Sequence, residues 1–203
     1  MNISTARLTS WALVAGSVVA SAGYASAFAA NGNGDERFAG SSWVALYTVA
    51  LLGNVLVLLG LPAVVHAQAG RAPVLTRIGY AGMLVPLAIL NLGEGVVEGF
   101  VKPYLAEHGG IPADDLPGLT AYEAPALVVM LVGMVCLGIA VLRARALPRW
   151  IGVLFLLVPF LGAAGLQGAV SLLPDYLLFL TLFAVGITQL RQNAVPEPVG
   201  VPA

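Results

Sequence analysis

Two carboxylates four residues apart close a long apolar run: Glu94 and Glu98, within Asn91-Leu92-Gly93-Glu94-Gly95-Val96-Val97-Glu98-Gly99-Phe100-Val101-Lys102. On a helix this spacing puts both acids on one face, and Asn91 and Lys102 extend the same stripe. Carboxylates inside an apolar helix can carry a proton, bind an ion, or act as general acid and base. If the helix enters a bilayer near Ile78, Glu94 lies about 24 Å along it. That depth is inside the far boundary of a hydrocarbon core about 30 Å thick. An ionised carboxylate there costs on the order of 2–3 kcal/mol, so Glu94 is expected to face the bundle and to be protonated, paired or hydrated.

Other polar residues are spaced to join it. A shift of 73 residues aligns Glu94 with Gln167, a neutral isostere at the same depth of a later helix. Glu123 and Asp175 open two further apolar segments and Ser171 closes one. With Asn91, Glu94, Glu98 and Gln167 they would line a polar cavity open to the outside. A structural role accounts for some of them equally well. Glu123 and Asp175 suit helix N-termini through the macrodipole, and Glu98 with Lys102 suits an interfacial ion pair.

Several chemistries are excluded. His66 and His108 fall on opposite sides of the apolar segments and cannot jointly ligate a haem. His108 with Glu107, Asp114 and Asp115 matches no metal-ligand spacing. The chain has no phosphate-binding glycine loop, nucleophile elbow or H-E-x-x-H motif. Neither a cofactor nor a metal is expected. A net charge of -1 rules out a basic nucleic-acid surface. Cys136, the single cysteine, lies in an apolar run, and a buried inert thiol is expected.

The elements that must position these residues are apolar helices. Only 9% of residues are charged, 59% are hydrophobic, and mean hydropathy is +0.93. A soluble domain carries about a quarter charged residues, so this composition belongs in lipid. Six apolar segments can be read, at 8–30, 42–66, 76–101, 122–142, 150–172 and 174–190. The expected fold is an all-α, polytopic bundle of six transmembrane helices forming a single domain over 1–192. A disordered cytoplasmic tail is expected over 193–203, where Pro196, Pro198 and Pro202 forbid a helix. The first segment also resembles a signal peptide, with Arg7 ahead of it and Ala27-Phe28-Ala29 as an A-x-A site. Its length and its place in the alternation below favour a retained helix.

Charge sets the orientation. Arg7, Arg71, Arg77, Arg143, Arg145, Arg149 and Arg191 fall at alternate segment ends, leaving only Arg37 and Lys102 on the other side. The positive-inside rule then puts both termini in the cytoplasm, and an even number of spans preserves the alternation. The predominance of arginine over lysine suggests a GC-rich bacterial genome, so the expected location is a bacterial plasma membrane.

A weak internal repeat supports six segments. The same shift aligns Ile78-Gly79 with Ile151-Gly152, Leu84-Val85-Pro86 with Leu157-Val158-Pro159, Gly95 with Gly168, and Val97 with Val170. Gly138-Ile139-Ala140-Val141-Leu142-Arg143 likewise matches Gly186-Ile187-Thr188-Gln189-Leu190-Arg191. Helical hairpins in parallel repetition are implied: helices two and three, four and five, and six with one. Pro86 and Pro159 should kink their helices, and Asn54 should bond between helices. Pro103 to Ala121 reads as the longest loop, and Trp11, Trp43, Trp150, Tyr104, Tyr122 and Tyr176 as an interfacial belt.

Ala6-Arg7-Leu8 at the first segment, and Arg143-Ala144-Arg145-Ala146-Leu147-Pro148-Arg149-Trp150-Ile151-Gly152 before the fifth, resemble a group of small bacterial integral membrane proteins of unknown function. The resemblance implies six helices and no assigned activity. Three functions stay open. One is a small-solute or proton-coupled carrier using Glu94. Another is a membrane-embedded enzyme on a lipid or isoprenoid, with Glu94 and Asp175 as acid and base. The third is a non-catalytic subunit or scaffold with a protein partner. Partners expected from sequence are the lipid bilayer and a small-molecule or lipid ligand.

Overall fold

Ala-rich and Leu/Val-rich runs free of charge form helices because their backbone groups have no other partner away from water. The structure, a computed structural model, describes residues 3–68, 70–111, 118–164 and 172–193. It is an all-α bundle with no strand among the described residues. The helices are α1 (Ile3–Asn31), α2 (Trp43–Gly60), α3 (Pro62–Ala67), α4 (Pro73–Leu87), α5 (Lys102–His108), α6 (Leu119–Ala144), α7 (Arg149–Ala163) and α8 (Leu173–Gln192). Hydroxyls within them bond back to the preceding turn, as Ser17 does to the Leu13 carbonyl and Thr181 to that of Leu177. This satisfies them inside the helix.

Among the described residues, five spans are long and apolar enough to cross a membrane: Thr5–Asn31, Trp43–Ala67, Pro73–Asn91, Glu123–Ala144 and Leu173–Gln192. The remaining apolar helix, Arg149–Ala163, has 15 residues, about 22 Å of rise. The sequence segment it opens runs on to 172, through residues outside those described.

The helices close a ring. α1 packs on α2 and α8, α8 on α7, α7 on α6, α6 on α4, and the continuation of α4 returns to α2. Of the hairpins read from the repeat, helices four and five (α6 and α7) and six with one (α8 and α1) pack along their lengths. Helices two and three meet at their ends, and α4 lies instead along α6. The α1–α2 seam is built on small residues, and a Cβ placed on Gly53 would sit 2.2 Å from the Ala20 nitrogen. Leu13, Leu61, Met83, Met134, Ile151, Phe155 and Leu182 fill the interior. Outward faces carry exposed Leu52, Leu59, Val74, Val128 and Phe160. An apolar exterior round a packed interior is the character of a membrane-inserted bundle.

Two sequence expectations change. Pro103 to Ala121 is not one long loop, because Lys102–His108 is helical and α6 already begins at Leu119. Pro103 sits in the first turn of α5, where its fixed φ fits the helix. Trp43 is not an interfacial belt residue. It is fully buried against Phe28, Phe38 and Tyr47, whereas Trp11, Trp150 and Tyr104 are exposed. The side chain of Tyr122, the segment 194–203, and the repeat positions Gly168 and Val170 lie outside the described residues.

Candidate functional site

Pro86 cannot donate to the Gly82 carbonyl, and beyond it the helix widens. Ala88–Glu94 and Val97–Val101 are π-helical, joining α4 to α5 in one continuous run. π-helical turns, with i→i+5 bonding, concentrate at functional sites. Here the wide turns fall between Ala88 and Val101, the stretch carrying both carboxylates.

The second π segment has an identifiable partner. The Lys102 N–H bonds the Val97 carbonyl, five residues back. Continuing that pattern, the Glu98 carbonyl would need an N–H from Pro103, which has none. The Trp43 indole Nε1–H donates to it instead, at 3.0 Å. Gly95 and Gly99 let this segment lie against α2, since a Cβ on either would fall within 2.5 Å of Leu51 and 2.8 Å of Tyr47 respectively.

Against this segment lies a cavity of about 520 Å³. α1 contributes Tyr24 and Phe28 to its wall, and α2 contributes Tyr47. The widened run supplies Asn91, Glu94 and Glu98, and α6 supplies Leu127 and Met130. Asp175, Tyr176 and Phe179 come from α8, and Asn33 and Arg37 from the α1–α2 connection. On the cavity wall Asp175 is exposed and Glu94 half-buried. Tyr24 is held from behind, its hydroxyl accepting from Asn54 Nδ2 at 2.8 Å and its ring stacked on Phe179.

The charges divide into two groups. Arg37 Nη2 donates to Glu98 Oε2 at 3.2 Å, and Lys102 Nζ pairs with the other oxygen, Oε1. Arg37 is fixed by the Asn33 carbonyl at 2.7 Å and by the rings of Phe38, Trp43 and Phe28, the closest centroid at 4.3 Å. Its turn, Asp35–Ala39, is a 3-10 helix that presents the guanidinium to Glu98. Glu98 therefore has two cationic partners. Glu94 and Asp175 have no hydrogen bond or ion pair among the described residues, although Glu123, Glu98 and Asp175 all act electrostatically on Glu94.

Asn91, Glu94, Glu98 and Asp175 thus share one cavity wall, and Glu123 stands near enough for its charge to reach Glu94. Gln167 and Ser171 lie outside the described residues. Arg37, Tyr24 and Tyr47 were not singled out from sequence. The available signal was that Arg37 is one of only two cations on the acid-rich side. Such a chamber can hold a molecule of modest size against carboxylates and aromatic rings. Compared with protein families, curated proteins and solved structures, the chain matches none.

Proposed function

We propose that the chain is a small-solute carrier of a bacterial plasma membrane, coupled to protons through Glu94. The observation that carries the reading is the meeting of Glu94 and Asp175, from different helices and without ion-pair partners among the described residues, in one cavity about 520 Å³ in volume. A carboxylate in such surroundings can exchange a proton for a solute contact, which is what coupling requires. Six spans with both termini cytoplasmic form part of the proposal. Its support is that Arg71 donates to the Ala144 carbonyl and Gln192 to that of Ala146, so the arginine-rich connections gather at one end. The cavity is at the other end and faces outward.

The test uses proteoliposomes of the full chain loaded with a pH-sensitive dye and challenged with quaternary amines, amino acids, sugars and carboxylic acids. One class should shift the luminal pH, and Glu94→Gln should abolish the shift. A silent panel, or an unchanged response in Glu94→Gln, would reject the carrier.

A second reading draws on the same pair of acids. Glu94 and Asp175 in an aromatic chamber also suit acid–base chemistry on an isoprenoid chain. A lipid-like molecule copurifying in mild detergent, and converted on incubation, would favour that reading over transport.

A further inference from the structure

We infer that the cavity beside the widened run of α4 takes a small organic cation, an ammonium group carried on apolar substituents. The inference rests on the carrier reading only in using the same cavity. Charge decides the sign of the ligand. Among the described residues, the carboxylates on the wall are Glu94, Glu98 and Asp175, against the single guanidinium of Arg37. Arg37 and Lys102 both pair with Glu98, and three carboxylates against these two cations leave a net negative charge for a ligand to balance. An anion would meet like charge there.

The rest of the wall decides the chemical type. Tyr24, Phe28, Tyr47, Tyr176 and Phe179 contribute rings, and the remainder is largely aliphatic. A divalent metal ion needs six or more oxygen ligands at short range, which rings and leucines do not offer. A sugar would need a dense set of donors and acceptors. Alkylammonium groups instead gain from aromatic faces and from a carboxylate together. The volume, about 520 Å³, falls within the range of small-molecule sites, about 300–1,000 Å³.

The experiment is equilibrium binding to the full chain in nanodiscs, by calorimetry. The probes are tetramethylammonium, choline and benzyltrimethylammonium, with 3,3-dimethylbutan-1-ol as the uncharged shape-mate of choline and sodium as an inorganic cation. At least one ammonium should bind, and choline should bind at least about tenfold more tightly than its neutral counterpart. Glu94→Gln and Tyr176→Leu should each weaken the ammonium and leave the neutral alcohol unchanged. Equal binding of choline and the alcohol, tighter binding of sodium, or no binding of any ammonium would overturn the inference. The wild-type comparison stands even if a variant fails to fold. A cation that binds without moving protons in the dye assay keeps this inference and sinks the carrier. A neutral or anionic solute that moves protons does the reverse.

Discussion

The indole nitrogen of Trp43 donates to the main-chain carbonyl of Glu98 at 3.0 Å, standing in for the N–H that Pro103 lacks. This bond ties the start of α2 to the wide turn bearing Glu98. Trp43→Phe keeps the ring contacts and removes the donor. A buried carbonyl left without a partner costs about 1–3 kcal/mol. Reversible unfolding in mixed micelles should show that loss, and Trp43→Phe at wild-type stability would mean the bond contributes nothing.

Arg37 and Glu98 should be coupled. Both side chains are mostly shielded, at 17% and 18% exposure, and Arg37 is also held over three rings. A double-mutant cycle on Arg37→Gln and Glu98→Gln should return about 1 kcal/mol of interaction, within the range for contacting charged neighbours. Additive losses would show that the ion pair is incidental.

The α1–α2 seam gives a packing prediction. Gly53→Val forces a branched side chain into the Ala20 backbone and should cost about 1–3 kcal/mol or prevent assembly. Gly162→Ala is the control, because its new Cβ would be 4.0 Å from the nearest atom, in Pro174. That change should stay within about 0.5 kcal/mol of wild type. Equal effects at the two sites would contradict the seam as described.

Orientation is open to thiol labelling in a Cys136→Ser background. Asn33→Cys and His108→Cys should react with a membrane-impermeant maleimide from outside intact cells, and Arg71→Cys and Arg145→Cys only after permeabilisation. Any pair that splits differently breaks the six-span arrangement.

Much of this was legible along the chain because it depends on one-dimensional spacing. Glu94 and Glu98 lie one turn apart in an apolar run, and counting turns places Asp175 at the same end of the bundle. Asn54 announced itself as a polar residue in mid-helix, and it bonds Tyr24. What the chain hid depends on tertiary meetings. Trp43 sits at a helix start and so reads as an interfacial anchor, yet the α1–α2 connection folds over it and buries it. Arg37 counted only as a charge on the less basic side, until its turn brought it to a residue distant in sequence. The π widening arises from Pro86, Pro103 and a tryptophan donor acting together, which no local pattern displays. The reach of helix past Lys102 was missed because proline and glycine read as loop, although Pro103 occupies a position where proline fits a helix.

The most direct measurement is the chemical accessibility of position 94. In the Cys136→Ser background, Glu94→Cys is treated with a membrane-impermeant cationic thiosulfonate from either side of sealed vesicles. The expected result is modification from the side bearing Asn33 and His108 only. Modification from the opposite side, or none from either, would contradict an outward-facing chamber around this carboxylate.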